Sequence, residues 1–383
     1  MTTFWAPRVV VPGRVLSNAR VSVAGGRVVE VVEEASPDAD IRLPSGFLVP
    51  GLVDLQVNGY YGADCVDATP EQWAEITRRL PETGVTAFAP TFITEPLDVM
   101  VEALRRTAAV QPALTGGAEV LGIHLEGPFI SERRRGAHNL AYLRDPDPEA
   151  VEALLDAAPG LVRIVTLAPE RRGGLDAVRL LVEAGVLVSI GHSDATGEQV
   201  YAAADAGARM VTHLFNAQRP LHHREPGVVG GALSDHRLTA GLIVDLHHVN
   251  AEACRIAFAS APGRIMLVTD AASPAGMPPG RYELGGEPVV LEPGKPVLRE
   301  DGTIASSNLA LDEGVANAVG IGIDLLTAVE AATRIPADLI GRADIGRIEP
   351  GARADLVWLG EDLRAATTWI RGVAVHGADS WTA

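Results

Sequence analysis

Apolar, β-branched runs recur through the middle of the chain, at 52–57, 86–92, 120–125, 162–167, 186–190, 209–212, 239–244 and 265–269. Between them lie stretches with helical spacing of apolar residues, at 70–82, 97–109, 148–158, 175–184 and 197–206. Continuous apolar strands alternating with amphipathic helices predict a parallel sheet covered on both faces. Eight strand–helix units in about 250 residues match a (β/α)8 barrel. A doubly wound sheet is the alternative, but no G-x-G-x-x-G follows the first run and no G-x-x-x-x-G-K-[ST] occurs anywhere. Both ends of the chain read differently. Residues 8–11, 19–23 and 27–32 have strand composition and are separated by Pro-Gly and Gly-Gly turns, while 346–352 is turn-rich and leads into strands at 354–359 and 368–375. These ends predict one small β domain, residues 1–50 plus 348–383, beside a barrel at 51–347. Two unrelated β extensions are the alternative.

Composition narrows the function classes. Hydrophobic residues make up 47% of the 383 positions and charged residues 21%, which supports a large core and argues against disorder. The 32 basic and 49 acidic side chains leave a formal charge of −17, which repels phosphate backbones and argues against nucleic-acid binding. Cys65 and Cys254 cannot build a disulfide framework and suit a reducing compartment. No apolar run approaches the ~18 residues of a membrane span, and no signal-peptide pattern opens the chain. The expectation is a soluble cytoplasmic protein without membrane partners. Lys295 is the single lysine, so any chemistry that needs a lysine must use it.

The polar residues fall where the strands end. Strand one ends in Asp54-Leu55-Gln56-Val57-Asn58-Gly59, strand three in His124-Leu125-Glu126-Gly127-Pro128, and strand five in Gly191-His192-Ser193. Strand six ends in Thr212-His213-Leu214-Phe215-Asn216, strand seven runs into Asp245-Leu246-His247-His248, and strand eight ends in Thr269-Asp270-Ala271. In a barrel these ends converge on one face, where active sites are built. Single polar strand ends are ordinary caps, but six of eight are not explained that way. His222, His223, His236 and His376 fall in loops or helix-like stretches and are expected to be solvated. His192 and His213 each follow an apolar strand directly. With Glu126 they supply two imidazoles and a carboxylate, a set that suits a first-row divalent ion with an open position for water. Asp270 is placed to act as general base and then general acid beside that water. The competing reading of Asp270 is a helix N-cap.

These segments resemble the N-acetylglucosamine-6-phosphate deacetylase family of the amidohydrolase superfamily. The resemblance rests on Val49-Pro50-Gly51-Leu52-Val53-Asp54, His124-Leu125-Glu126-Gly127-Pro128-Phe129, Gly191-His192-Ser193 and His213-Leu214-Phe215-Asn216-Ala217. It extends to Arg224-Glu225-Pro226-Gly227, Val268-Thr269-Asp270-Ala271 and Gly346-Arg347-Ile348-Glu349-Pro350-Gly351, and so covers nearly the whole chain. It implies a (β/α)8 barrel with a small β-sandwich built from both termini. It also implies hydrolysis of the acetamide of N-acetylglucosamine 6-phosphate by metal-activated water. Glu126, His192 and His213 would hold one divalent metal per subunit, Zn foremost, with Fe, Co or Mn as alternatives, and Asp270 would be the acid/base. Where many relatives carry His-x-His and a second metal, this chain has Gln56-Val57-Asn58. Amides are poor ligands for such ions, which points to a mononuclear site. Strand four ends Thr166-Leu167-Ala168-Pro169-Glu170, without the lysine of the binuclear subtypes.

For the substrate, the resemblance implies contacts from Ala137, Asn216, Ala217, His248, Ile304, Ala305 and Ser306. Arg224 would reach the phosphate from the neighbouring subunit of a homodimer. The segment Ser306-Ser307-Asn308-Leu309-Ala310-Leu311 departs from the family's Gly-Ser-Ser-Leu-Thr-Met loop. The basic loop Arg133-Arg134-Arg135 reads either as a lid that draws in phosphate or as a solvated loop. Two other function classes stay in view. One is an amidohydrolase acting on a different N-acyl or cyclic amide, which would not need the phosphate contacts. The other is a catalytically dead barrel used as a scaffold, which the retained Glu126, His192, His213 and Asp270 argue against.

Overall fold

The structure is a computed structural model, and it describes residues 1–33, 38–284 and 287–377. Eight parallel strands follow the predicted order: Leu52–Val57, Val85–Ile93, Ile123–Glu126, Val162–Leu167, Leu187–Ile190, Met210–Val211, Thr239–Leu242 and Ile265–Leu267. A parallel bridge between Val57 and Ala271 and a 2.9 Å hydrogen bond from Asp270 N to Gln56 O join strand eight to strand one. The sheet thereby comes round on itself, as a (β/α)8 barrel requires.

The strand limits differ from expectation where the backbone is forced to turn. The run at 120–125 is split into Glu119–Val120 and Ile123–Glu126. Gly122 sits between the two pieces at φ +123°, and a Cβ there would lie 2.1 Å from Arg163 Cγ. Strand six is only two residues long, because the chain leaves extended geometry at His213, whose φ is 26°.

The five expected helices are present as Pro70–Arg79, Leu97–Val110, Pro148–Ala157, Gly174–Glu183 and Gly197–Asp205. Thr69 with Gln72 and Thr196 with Gln199 form capping boxes, satisfying N-terminal amides that otherwise lack partners. The first helix stops short of residue 82. Pro81 has no N–H to donate, so Leu80–Thr83 tightens into a 3-10 turn, and Thr77 O accepts instead from Ala118 N at 2.7 Å.

The two ends of the chain share one sheet. Its strand order is Val373–His376, Ala365–Ile370, Leu356–Leu359, Phe47–Pro50, Thr2–Val11, Arg14–Ala24 and Arg27–Glu33, with Ile41–Arg42 also paired to Thr2–Val11. Three strand spacings, about 14 Å along the sheet, separate Ala365–Ile370 from Thr2–Val11. Yet the rings of Trp369 and Phe4 meet edge to face with centroids 5.3 Å apart. The sheet is therefore rolled over on itself around a separate core that includes Phe4, Val21, Leu48, Leu356 and Trp369. The expected β-sandwich is thus one continuous sheet doubled over.

Arg353, nearly fully buried, ties this unit to the barrel side. Its Nε donates to Asp355 at 2.6 Å, and it also pairs with Glu119, which precedes strand three. After strand eight, an antiparallel sheet of Gly280–Leu284, Glu287–Leu291, Val297–Arg299 and Ile304–Ser306 is inserted around a small core of Val289, Leu291 and Val297. Lys295 lies on its outer turn, exposed and paired with Glu292 at 2.5 Å. Among the described residues both cysteines are free and buried, and no helix is long and apolar enough to cross a membrane.

Candidate active site

The C-terminal strand ends meet in one cavity of about 380 Å³. Glu126 reaches it from the end of strand three, His192 from just beyond strand five and His213 from just beyond strand six. Glu126 Oε1 is 2.9 Å from both His192 Nε2 and His213 Nε2, and the two ring nitrogens are 3.0 Å apart. All three residues are buried. A shared proton can satisfy one of these three contacts, whereas a divalent cation satisfies all of them. The donor set therefore fits an ion of the Zn²⁺ class.

Burial works against charge on Glu126, but hydrogen bonds from His192 and His213 outweigh it and hold the carboxyl well below the usual carboxylate range. Burial likewise opposes the imidazolium form of His213, yet the Glu126 contact raises that ring to about 9. His192 is oriented from behind: its Nδ1 lies 2.9 Å from the carbonyl of Arg134. A carbonyl can only accept, so Nδ1 donates to it and the ring is fixed with Nε2 facing Glu126 and His213.

Strained backbone aims these side chains. His192, His213 and Asp270 have φ of 45°, 26° and 51°, and Ala217 has 50°. Non-glycine residues rarely occupy this left-handed region unless surrounding contacts hold them there. For Asp270 the contacts are visible. Its N–H donates to Gln56 O, its carbonyl accepts from Ser306 Oγ at 2.9 Å, and its Oδ1 accepts from Asn58 Nδ2 at 2.7 Å and Gln56 Nε2 at 3.0 Å. No helix starts at Asp270, so the N-cap reading fails.

The two amides at the end of strand one both serve the carboxylates as donors. Gln56 Nε2 also donates to Glu126 Oε2 at 3.2 Å. Gln56 thus bridges Glu126 and Asp270 as a neutral donor, while Asn58 donates to Asp270 alone. Burial, together with the charge of Glu126, raises the Asp270 carboxyl to about 6.

Of the expected substrate contacts, Ala137, Asn216, Ala217, His248, Ile304, Ala305 and Ser306 all line the cavity. His248 is fixed by Asp245, whose carboxylate lies 2.6 Å from Nδ1. Arg224 is exposed and does not line the cavity of its own chain. The basic loop is neither a free lid nor simply solvated. Arg134 Nε and Arg219 both bind Asp194, at 2.9 and 3.0 Å, and Arg135 donates to His138 O.

Sequence patterns alone miss several residues of the site. His138 lines the cavity, stacks edge to face on His192 at 4.4 Å and accepts at Nδ1 from Thr94 N at 3.3 Å. Burial first, then the neighbouring imidazoles, lower its pKa to about 3, so it is neutral. It lies in the loop after strand three, far along the chain from His192, and no spacing rule connects such loops. His124, within the strand-three motif, is not a ligand. It is neutral, lowered to about 4 by burial, and bonds Leu55 O and Thr166 Oγ1 inside the barrel.

Gly127 explains the glycine after Glu126. It sits at φ +92°, and a Cβ would lie 2.1 Å from Thr94 Oγ1, the hydroxyl that also bonds His138 Nδ1 at 2.8 Å. Gly127→Ala is expected to cost about 1–3 kcal/mol of stability from the left-handed backbone. It should also raise KM as Thr94 and His138 shift. Thermal melts with steady-state kinetics check this, and unchanged values for both would contradict it.

The amidohydrolase family model matches residues 47–375. The chain belongs to the amidohydrolase family. This amidohydrolase is 39% identical over 376 residues to the human N-acetylglucosamine-6-phosphate deacetylase, covering 94% of this chain and 91% of the relative. It is 36% identical over 359 residues to an Escherichia coli O157:H7 N-acetylgalactosamine-6-phosphate deacetylase, covering 93% and 94%. Its fold matches that of N-acetyl-D-glucosamine-6-phosphate deacetylase from Mycobacterium smegmatis, solved as an aspartate-to-alanine mutant with N-acetyl-D-glucosamine-6-phosphate. The TM-score is 0.92 at 35% identity, over 98% of this chain and 99% of that one. The family is metal-dependent, and Glu126, His192 and His213 form a possible ligand triad.

Proposed function

We propose that this amidohydrolase hydrolyses the acetamide of N-acetyl-D-glucosamine 6-phosphate to D-glucosamine 6-phosphate and acetate. One observation carries the reading: Glu126, His192, His213 and Asp270 converge in one cavity of a chain whose full-length relatives bear that name. Glu126, His192 and His213 hold one divalent ion, Zn²⁺ foremost, with Fe²⁺, Co²⁺ or Mn²⁺ also compatible with these donors. Such an ion supplies Lewis-acid polarisation of the carbonyl and a lowered water pKa.

The chain's own residues do the rest. Asp270, held by Asn58 and Gln56 through Oδ1, keeps Oδ2 to take the proton of the attacking water. It then delivers that proton to the nitrogen as the C–N bond breaks, so the sugar leaves as an amine. His248, anchored by Asp245 at Nδ1, turns Nε2 to the substrate. Asn216 and the backbone of Ala137 and Ala217, with Ile304, Ala305 and Ser306, position the sugar. The small β domain comprises residues 1–50 plus 348–383 and the barrel 51–347; residues 34–37, 285–286 and 378–383 lie outside the described residues. The enzyme acts in the cytoplasm as a homodimer, in which Arg224 reaches the neighbouring site.

Acetate release from N-acetylglucosamine 6-phosphate and from N-acetylglucosamine, with metal-replete and chelated protein, tests the reading. Release that is metal-dependent and favours the phosphorylated sugar supports it. Release from neither sugar would overturn it. The Escherichia coli relative motivates a parallel assay of N-acetylgalactosamine 6-phosphate, which carries the same acetamide and phosphate. Arg224→Ala is expected to raise KM for the phosphorylated sugar by ~10-fold or more, as loss of a charge-assisted phosphate contact does. An equal effect on the unphosphorylated sugar would remove its phosphate role.

A further inference from the structure

The cavity holds three carboxylates, one of them in the candidate metal triad. Glu95, Glu126 and Asp270 line it, and the chain as a whole carries −17. A phosphorylated sugar brings about two more negative charges. Among the described residues that line the cavity, Arg299 is the only lysine or arginine. It stands at the end of the strand Val297–Arg299 of the inserted sheet; the sequence motifs assign a role to Ile304–Ser306 of that sheet but none to Arg299.

The placement of Arg299 is built rather than incidental. Its backbone closes a tight turn, with Arg299 N donating to Thr303 O at 2.8 Å and Gly302 N donating to Arg299 O at 2.9 Å. That turn returns the chain into Ile304–Ser306, whose Ser306 hydroxyl holds the Asp270 carbonyl. Neighbouring Val289 and Leu284, on the same inserted sheet, also line the cavity. At its other end the sheet is fastened to the strand-seven loop by His247 Nε2 and Gly294 O, 3.0 Å apart. The Arg299 side chain is half-buried, and Nη2 makes one long contact, 3.5 Å, to Ala137 O. Among the described residues it forms no ion pair, although Asp301, in the same turn, feels its charge. Most arginines of this acidic protein are already paired, for example Arg134 with Asp194 and Arg171 with Asp145. A guanidinium offers five donors in a fixed planar fork, and Arg299 lines the cavity with the Ala137 contact as its one side-chain hydrogen bond among the described residues.

We propose that Arg299 is a phosphate-recognising residue supplied within the subunit, so that the inserted sheet sets specificity for phosphorylated sugars. This rests on the deacetylase reading and deepens it. Arg299 binds the phosphate of the same substrate whose acetamide meets Asp270, complementing any arginine contributed by a second subunit.

The experiment compares wild type, Arg299→Gln and Arg299→Lys on N-acetylglucosamine 6-phosphate and N-acetylglucosamine, with inorganic phosphate as a competing anion. In Arg299→Gln the ratio of kcat/KM between the two sugars should fall roughly 10–100-fold, the range for one charge-assisted contact. The loss should appear in KM rather than kcat, and inhibition by inorganic phosphate should weaken in step. Arg299→Lys, which keeps the charge without the fork, should fall between the two. A wild type that does not prefer the phosphorylated sugar overturns the deacetylase reading and this proposal together. A preference that persists undiminished in both variants overturns the role of Arg299 alone. An equal loss on both sugars also overturns it, since that marks a structural role for the turn.

Discussion

Asp270→Asn should lower kcat by about 10²–10⁴-fold while the divalent ion stays bound, since acid–base catalysis by a placed side chain contributes that much. The asparagine is nearly the same shape. Its Oδ1 can still accept from Asn58 and Gln56, and its main chain can still bond Gln56 O and Ser306 Oγ. What it lacks is the second oxygen that takes and returns the proton. The pH profile sharpens the test. Burial and the charge of Glu126 raise the Asp270 carboxyl from 3.8 to about 6, so the base form is lost as pH falls through that value. A bound cation acts in the opposite direction, placing the acid limb of kcat/KM at or below about pH 6. Any residual activity of the variant should lack this limb. Retained metal with a near-normal rate would exclude Asp270 from proton transfer.

Removing the ion, or the carboxylate that holds it, should have the other large effect. Chelated protein should lose essentially all turnover and regain it when a divalent ion is restored. Glu126→Gln should weaken ion affinity by more than the ~10–100-fold typical of losing an outer-sphere partner, because Glu126 Oε1 is the point on which both imidazoles converge. Competition against a chromogenic chelator measures this without any assay of turnover. Stability gives a second readout. An ion at 100 times its Kd stabilises the folded state by about 2.7 kcal/mol, so wild-type Tm should rise on adding metal and that of Glu126→Gln should not. Wild-type affinity in the variant would sink the ligand assignment.

The groups proposed for acid–base chemistry and metal binding are legible in the amino-acid sequence for a definable reason. A barrel strand is a short apolar run, and the residue that ends it is fixed by the run itself. Glu126, His192, His213 and Asp270 all sit at such ends. The next layer is not legible. His138 and Thr94 come from loops after different strands, and only the folded loops bring Thr94 to His138 and His138 to the His192 ring. Asp245 stands close to His248 along the chain, yet its grip on Nδ1 depends on the turn between them. The loop at Arg133–Arg135 carries an ambiguous charge signal. It is resolved by Asp194, a residue more than fifty positions away.

The order of residues along the chain specifies the barrel, the joining of the two termini and the proposed metal-ligand and acid–base groups. Periodicity is a local property, and strand ends inherit their positions from it. Three further features arise only in the folded chain. His192, His213 and Asp270 are turned into left-handed backbone, which a chain holds only when long-range contacts enforce it. Gln56 is set between two carboxylates as a hydrogen-bond donor, with Asn58 donating to one of them. Arg299 is carried to the cavity on an inserted sheet. Each of these depends on where separate segments meet in space, and no local pattern of residues encodes that distance.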